Sequence, residues 1–79
     1  MPKKSTFTSE YALFRAMLVQ EREKAGLTQA EVAARLGKPQ SFVSKYEAGQ
    51  RRLDVIELIT IAKVIGFDPV KMVKKLAAG

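Results

Sequence analysis

The sequence predicts a single all-α domain of about five helices joined by short connections. Three observations carry this expectation. Glycine and proline divide the chain at intervals suited to helices, and Ser, Thr or Asp stands ahead of every segment so marked except the third, which Pro39 opens. Apolar residues recur at helical spacing within each segment, and no stretch keeps strand alternation. At 79 residues, 47% of them hydrophobic, the chain has material for one core and is too apolar for disorder.

The elements follow in order. Residues 1–8 read as a basic N-terminal arm, and residues 9–79 as the domain. Ser9 is expected to cap a first helix reaching about Ala25, with Phe14, Leu18 and Ala25 on one side and Gly26 as its stop. Thr28-Gln-Ala-Glu31 is a capping box that opens a short second helix, turning Val32, Ala33 and Leu36 inward before Gly37. Pro39 suits the first turn of a third helix that continues to Ala48, with Val43 and Tyr46 inside. Asp54-Val-Ile-Glu57 is a second capping box for a fourth helix ending at Gly66. Asp68-Pro69, a cap followed by proline, opens the fifth.

Composition removes several kinds of chemistry. Without cysteine or histidine there are no disulfides, no thiolate nucleophile, no usual zinc ligands and no imidazole base. No cofactor or metal is expected. Glu21, Glu23 and Glu31 fall on exposed helix faces among Arg and Lys, which is the pattern of solvated charge rather than of an acid–base pair, so an enzyme is not expected. The longest apolar run is broken by Glu57 and Lys63, so no membrane span is expected, and the basic N-terminus has no apolar segment behind it. These features suggest a cytoplasmic protein. A net charge of +6 favours an anionic partner.

The second and third helices are the informative pair. Only Gly37 to Pro39 separate them, so they must cross steeply. A close crossing needs a small side chain where backbones meet, and Ala33 stands there, with Val43 entering the same core from the other helix. This spacing is that of a helix-turn-helix. The third helix leaves Gln40, Ser41, Ser44 and Lys45 on one outer stripe. A face built only for stability would carry Glu, Lys and Ala instead.

With R-x-x-x-G-L-T-Q at 22–29, A-x-x-x-G at 33–37, Y-E-A-G at 46–49 and I-A-K-V-I-G-F at 61–67, the chain resembles the Cro/CI (XRE) family of phage repressors and bacterial regulators over roughly 18–70. The resemblance implies a compact, lambda-repressor-like five-helix domain that binds double-stranded operator DNA, commonly as a homodimer, with its third helix in the major groove. It implies base contacts by Gln40, Ser41, Ser44 and Lys45. It also implies a phosphate clamp at Thr28 and Gln29, where a helix N-terminus offers unpaired N–H groups. Gln can pair with adenine, Lys can donate to guanine, and Ser can bond to bases or phosphate. Lys38, Arg51 and Arg52 flank the third helix and suit phosphates. Arg22 and Glu47 match a buried ion pair that ties the first helix to the third.

Two positions depart from the family pattern. Pro39 stands where a Ser or Thr cap is usual, which leaves open whether Gln40 or Ser41 reaches deeper. Tyr46 replaces an aliphatic core residue, and its hydroxyl needs water, a phosphate or a buried acceptor. The fourth helix has a broad apolar stripe (Val55, Leu58, Ile59, Ile61, Ala62 and Ile65) with Ile56 and Val64 outside it, and the fifth adds Val70, Met72, Val73 and Leu76. Ile56, Val64, Val70, Met72, Val73 and Leu76 are therefore the expected dimer surface. The overall expectation is a bacterial or phage transcriptional regulator, most simply a repressor, acting as a homodimer on a pseudo-palindromic operator. The alternative is an adaptor or antitoxin of the same fold that meets a toxin or other protein through its last two helices. Lys3 and Lys4 are expected either to reach around the duplex or to form a tail without a role.

Overall fold

The computed structural model describes residues 8–79. The arm residues Lys3 and Lys4 lie outside the described residues. Five helices follow in order: α1 (Ser9–Lys24), α2 (Gln29–Leu36), α3 (Gln40–Ala48), α4 (Val55–Ile65) and α5 (Pro69–Ala78). No strand occurs among the described residues.

Both capping boxes form. The Glu31 N–H donates to Thr28 Oγ1 at 3.1 Å, and the Thr28 N–H donates back to Glu31 Oε1 at 2.8 Å. At α4 the Glu57 N–H donates to Asp54 Oδ1 at 2.7 Å, and the Asp54 N–H donates to Glu57 Oε1 at 3.0 Å. The α1 cap is displaced by one residue from expectation. Thr8 is the N-cap, accepting from the Tyr11 N–H at 3.1 Å, because its hydroxyl is the one placed three residues before a free N–H. At the other end Ala25, expected inside, is exposed beyond the helix. Pro39 is the N-cap of α3 rather than part of its first turn, and it supplies no side-chain bond. The steep α2–α3 corner depends on Gly37, whose φ of 70° places it in the left-handed region.

The core joins all five helices. Phe14 and Leu18 of α1 meet Val32 and Ala33 of α2, Val43 and Tyr46 of α3, Leu58, Ile61 and Ile65 of α4, and Met72 of α5. α2 packs on α3 and α4, while α1 packs on α3 and α5. The expected helix-turn-helix core is present, with Leu36 half-buried at its edge. Arg35 fastens α2 to the end of α4 by donating to the Val64 carbonyl at 3.0 Å.

The outer surface of α4 and α5 differs from expectation. Met72 is a core residue at 3% exposure, and Val64 and Leu76 are half-buried against the core. Val55 and Ile59, expected in the buried stripe of α4, are exposed instead. α4 packs on α2 and α5 and buries Leu58, Ile61, Ala62 and Ile65, a narrower stripe than periodicity suggested, which leaves Val55 and Ile59 at its margins. Ile56, Val70 and Val73 are exposed as expected. No helix among the described residues is long and apolar enough to cross a membrane.

Candidate nucleic-acid interface

The outer face of α3 is held from behind by one carboxylate. Glu47 is 9% exposed, and its two oxygens receive three hydrogen bonds from two other helices. Arg22 Nε donates to Oε2 at 2.7 Å and Arg22 Nη2 to Oε1 at 3.1 Å, while Gln29 Nε2 donates to Oε1 at 2.8 Å. Arg22 Nη1 donates to the Leu27 carbonyl at 2.9 Å, so the same side chain also orders the α1–α2 turn. The hydrogen bond donated to Glu47 holds the Arg22 proton more tightly than in a free guanidinium, against the opposing effect of burial.

The expected Arg22–Glu47 pair is therefore present and buried, and two partners join it that the sequence did not reveal. Arg15 Nη1 donates to the Glu47 backbone carbonyl at 3.0 Å. Arg15 precedes Arg22 by two helical turns, so both project from one face of α1, and that spacing was the available signal. Gln29, expected on a phosphate, turns its amide inward to Glu47, while its Oε1 accepts from Gln40 Nε2 at 3.4 Å. At the start of α2 the N–H groups of Gln29 and Ala30 have no helical acceptor, so the N-terminal end of the helix still presents donors.

On the outer side, Gln40, Ser41 and Lys45 are exposed on adjacent turns of α3. Ser44 is half-buried, with its hydroxyl donating to the Ser41 carbonyl at 3.3 Å. The four expected base-contact positions share one stripe, and Ser44 is the shallowest of them. Thr28, Lys38, Arg51 and Arg52 are all exposed, and Lys38 and Arg51 lie over the ring of Phe42 in α3.

The flanking cations are more ordered than a charge run implies. Arg52 stacks over the Tyr11 ring, with Cζ 4.2 Å from its centroid, and the Tyr11 hydroxyl accepts from the Leu53 N–H at 3.3 Å. Arg51 forks onto Glu57, Nη1 to Oε1 at 3.0 Å and Nη2 to Oε2 at 2.8 Å. That fork, with the Asp54 N–H, holds the Glu57 carboxyl below the usual carboxylate range. Glu57 was legible from the sequence only as a capping residue. Its reach back to Arg51 follows from the loop path, which no residue spacing encodes.

One core group lacks the partner expected for it. Tyr46 is 1% exposed, and its hydroxyl has no hydrogen-bond partner among the described residues. Burial, with the nearby Glu47 charge, pushes its ionisation well above the usual phenol range.

Comparisons with known proteins agree with the fold. A helix-turn-helix family model, HTH_3, matches residues 18–72. The chain is similar to the uncharacterized HTH-type transcriptional regulator y4dJ of Sinorhizobium fredii (strain NBRC 101917 / NGR234), 42% identical over 52 residues that cover 66% of this chain and 68% of that protein. Among solved structures it is similar to an XRE-family like protein from Pseudomonas syringae pv. tomato str. DC3000. That match has 50% identity and a TM-score of 0.85, and covers 89% of this chain and 85% of the other.

Proposed function

The chain belongs to the XRE-type helix-turn-helix family of DNA-binding regulators, and on that premise we propose that it is a sequence-specific transcriptional repressor reading an operator major groove with α3. Family membership places it among regulators of transcription rather than enzymes. The observation that carries the finer reading is the pairing of an exposed polar stripe with a rigid rear attachment. Gln40, Ser41 and Lys45 project from a helix that Glu47 fastens to both α1 and α2. A base-reading side chain discriminates only if its backbone is held in place.

In this reading Gln40, Ser41, Ser44 and Lys45 meet base edges. Thr28, Gln29, Lys38, Arg51 and Arg52 meet phosphates, Gln29 through its backbone N–H, and these contacts set register rather than sequence. Selecting bound sites from random DNA tests it directly. A recurring motif is expected, and Lys45→Ala should relax one position of that motif, with a loss of about 1–3 kcal/mol there and little change on unrelated DNA. Recovery of random sequences at every round would reduce the protein to a non-specific cation.

A homodimer is supported by the apolar surface at the start of α4 and along α5. Val55 and Ile56 are 68% and 69% exposed, and Val70 and Val73 are 62% and 49% exposed. Val55 and Val73 line one groove with Leu58 and Leu76, so the two helices contribute to a shared surface. Two copies joined there would set their α3 helices on successive turns of a pseudo-palindrome, roughly 34 Å apart. Sedimentation as a monomer both alone and on DNA would remove this element and favour a toxin or other protein as the partner of that face.

A further inference from the structure

Two cations, Lys38 from the α2–α3 turn and Arg51 from the α3–α4 loop, gather around one ring of α3. Lys38 Nζ lies 5.3 Å from the Phe42 centroid and Arg51 Cζ lies 4.8 Å from it. An aromatic face attracts both by its quadrupole, so Phe42 brings their charges together beside the start of α3. Arg51 is then held at its tip. Besides the two bonds to Glu57, Nη1 donates to the Arg52 carbonyl at 2.9 Å.

These bonds use the Nη1–Nη2 end of the guanidinium. The Nε–H makes no hydrogen bond among the described residues, so the Nε–Nη2 edge keeps a donor fork of the kind that matches a phosphate. Glu57 is itself fixed, because its Oε1 also accepts from the Asp54 N–H within the α4 capping box. The carboxylate thus links the first turn of α4 to a guanidinium in front of α3. A free arginine would lose rotamer freedom on gripping a phosphate, whereas here much of that ordering accompanies folding.

We propose that Glu57 is a positioning residue, holding Arg51 so that its Nε–Nη2 edge grips a DNA backbone phosphate while Lys38 supplies charge beside it. The inference rests on the DNA-binding reading above. It adds that a residue of opposite charge to the cations around it strengthens the contact.

A double-mutant cycle on a short mixed-sequence DNA duplex tests this at fixed salt, using Glu57→Gln, Arg51→Ala and the pair. Glutamine can still accept from the Asp54 N–H, so the helix cap is kept while the carboxylate fork is lost. Arg51→Ala should lower the slope of log affinity against log salt by about 0.9, the value of one phosphate contact. Glu57→Gln should weaken binding about three- to tenfold when Arg51 is present and leave it unchanged when residue 51 is alanine. Equal weakening in both backgrounds would mean that Glu57 only caps α4. Tighter binding by Glu57→Gln would mean that it competes with phosphate, and no change in either background would deny it any role. Each of these outcomes overturns the proposal and leaves the DNA reading intact. A wild-type protein that fails to bind the duplex even at low salt would overturn both.

Discussion

Replacing Glu47 with alanine is the perturbation most tightly bounded by the structure. The side chain of Glu47 is 6% exposed and that of Arg22 is 14% exposed, so the pair lies in the buried regime, where salt screens little. Removing the carboxylate leaves a guanidinium with only the Leu27 carbonyl as partner, and it also takes the acceptor from the Gln29 NH₂ group. Breaking a buried pair from one side costs about 3–5 kcal/mol. Because the Arg22 tip keeps some contact with solvent, the lower end applies, and about 3 kcal/mol is expected. For a domain of this size that corresponds to a fall in Tm of roughly 12–24 °C. Urea denaturation followed by circular dichroism measures it, with Glu47→Ala compared against Glu47→Ala combined with Arg22→Met. The second change removes the stranded charge and should recover much of the loss, since the penalty lies in an unpaired ion and not in a missing attraction. A single-variant loss below about 1 kcal/mol would show that the pair is effectively solvated. Failure of the double variant to recover would refute the charge argument even if the loss were large.

Two further outcomes follow from the titratable groups. Tyr46→Phe deletes a buried hydroxyl with no partner among the described residues, so stability should be unchanged or rise by up to about 1 kcal/mol in urea denaturation. Its ionisation is raised in the folded state, so the native protein binds more protons above the usual phenol range near ~10, and stability should fall there as pH rises. The Phe variant should lose part of that alkaline decline. At the acid end, the folded-state ionisation of Glu31 and Glu57 is depressed, Glu31 by its capping bonds with Thr28 and Glu57 by Arg51 and the Asp54 N–H. Their contribution is complete above the unfolded carboxylate value near ~4.3 and is lost as pH falls through the lower folded values. Urea midpoints taken from neutral pH downward should therefore decline in that window, and less steeply in Glu31→Gln and Glu57→Gln.

The fold was legible wherever a local rule decides the geometry. Thr28 with Glu31, Asp54 with Glu57, and Gly37 at φ 70° each specify a boundary from residues within one turn, and all three are as expected. Legibility failed where burial depends on which neighbour covers a face. Periodicity placed Val55 and Ile59 on the apolar side of α4, yet the stripe that is covered is narrower, and both are exposed. The same cause hid Met72, which reads as one more exposed apolar residue until α5 is seen packed on α1 and α4. In the interface, side-chain types indicated the surface but not the bonds among them. Arg51 was legible as a cation, and its fork to Glu57 was not, because a loop rather than a helical repeat brings them together.

Pro39 shows how stability and readout depend on the same bonds. It supplies no cap to α3, so the first helical side chain, Gln40, takes its direction from elsewhere. An ionised carboxylate can only accept hydrogen bonds, so Glu47 requires the Gln29 amide to present its NH₂ inward. The Gln29 carbonyl oxygen then accepts from Gln40 at 3.4 Å, a long and therefore yielding bond. That contact uses one N–H of Gln40, an exposed side chain, and leaves its other N–H and its carbonyl oxygen without a hydrogen bond among the described residues. One donor and one acceptor side by side are what adenine asks of glutamine in the major groove. On the proposed reading, Gln40 rather than Ser41 reaches the deeper base edge. The ion pair that holds α3 in place would then also orient, two amides away, the group that reads the operator.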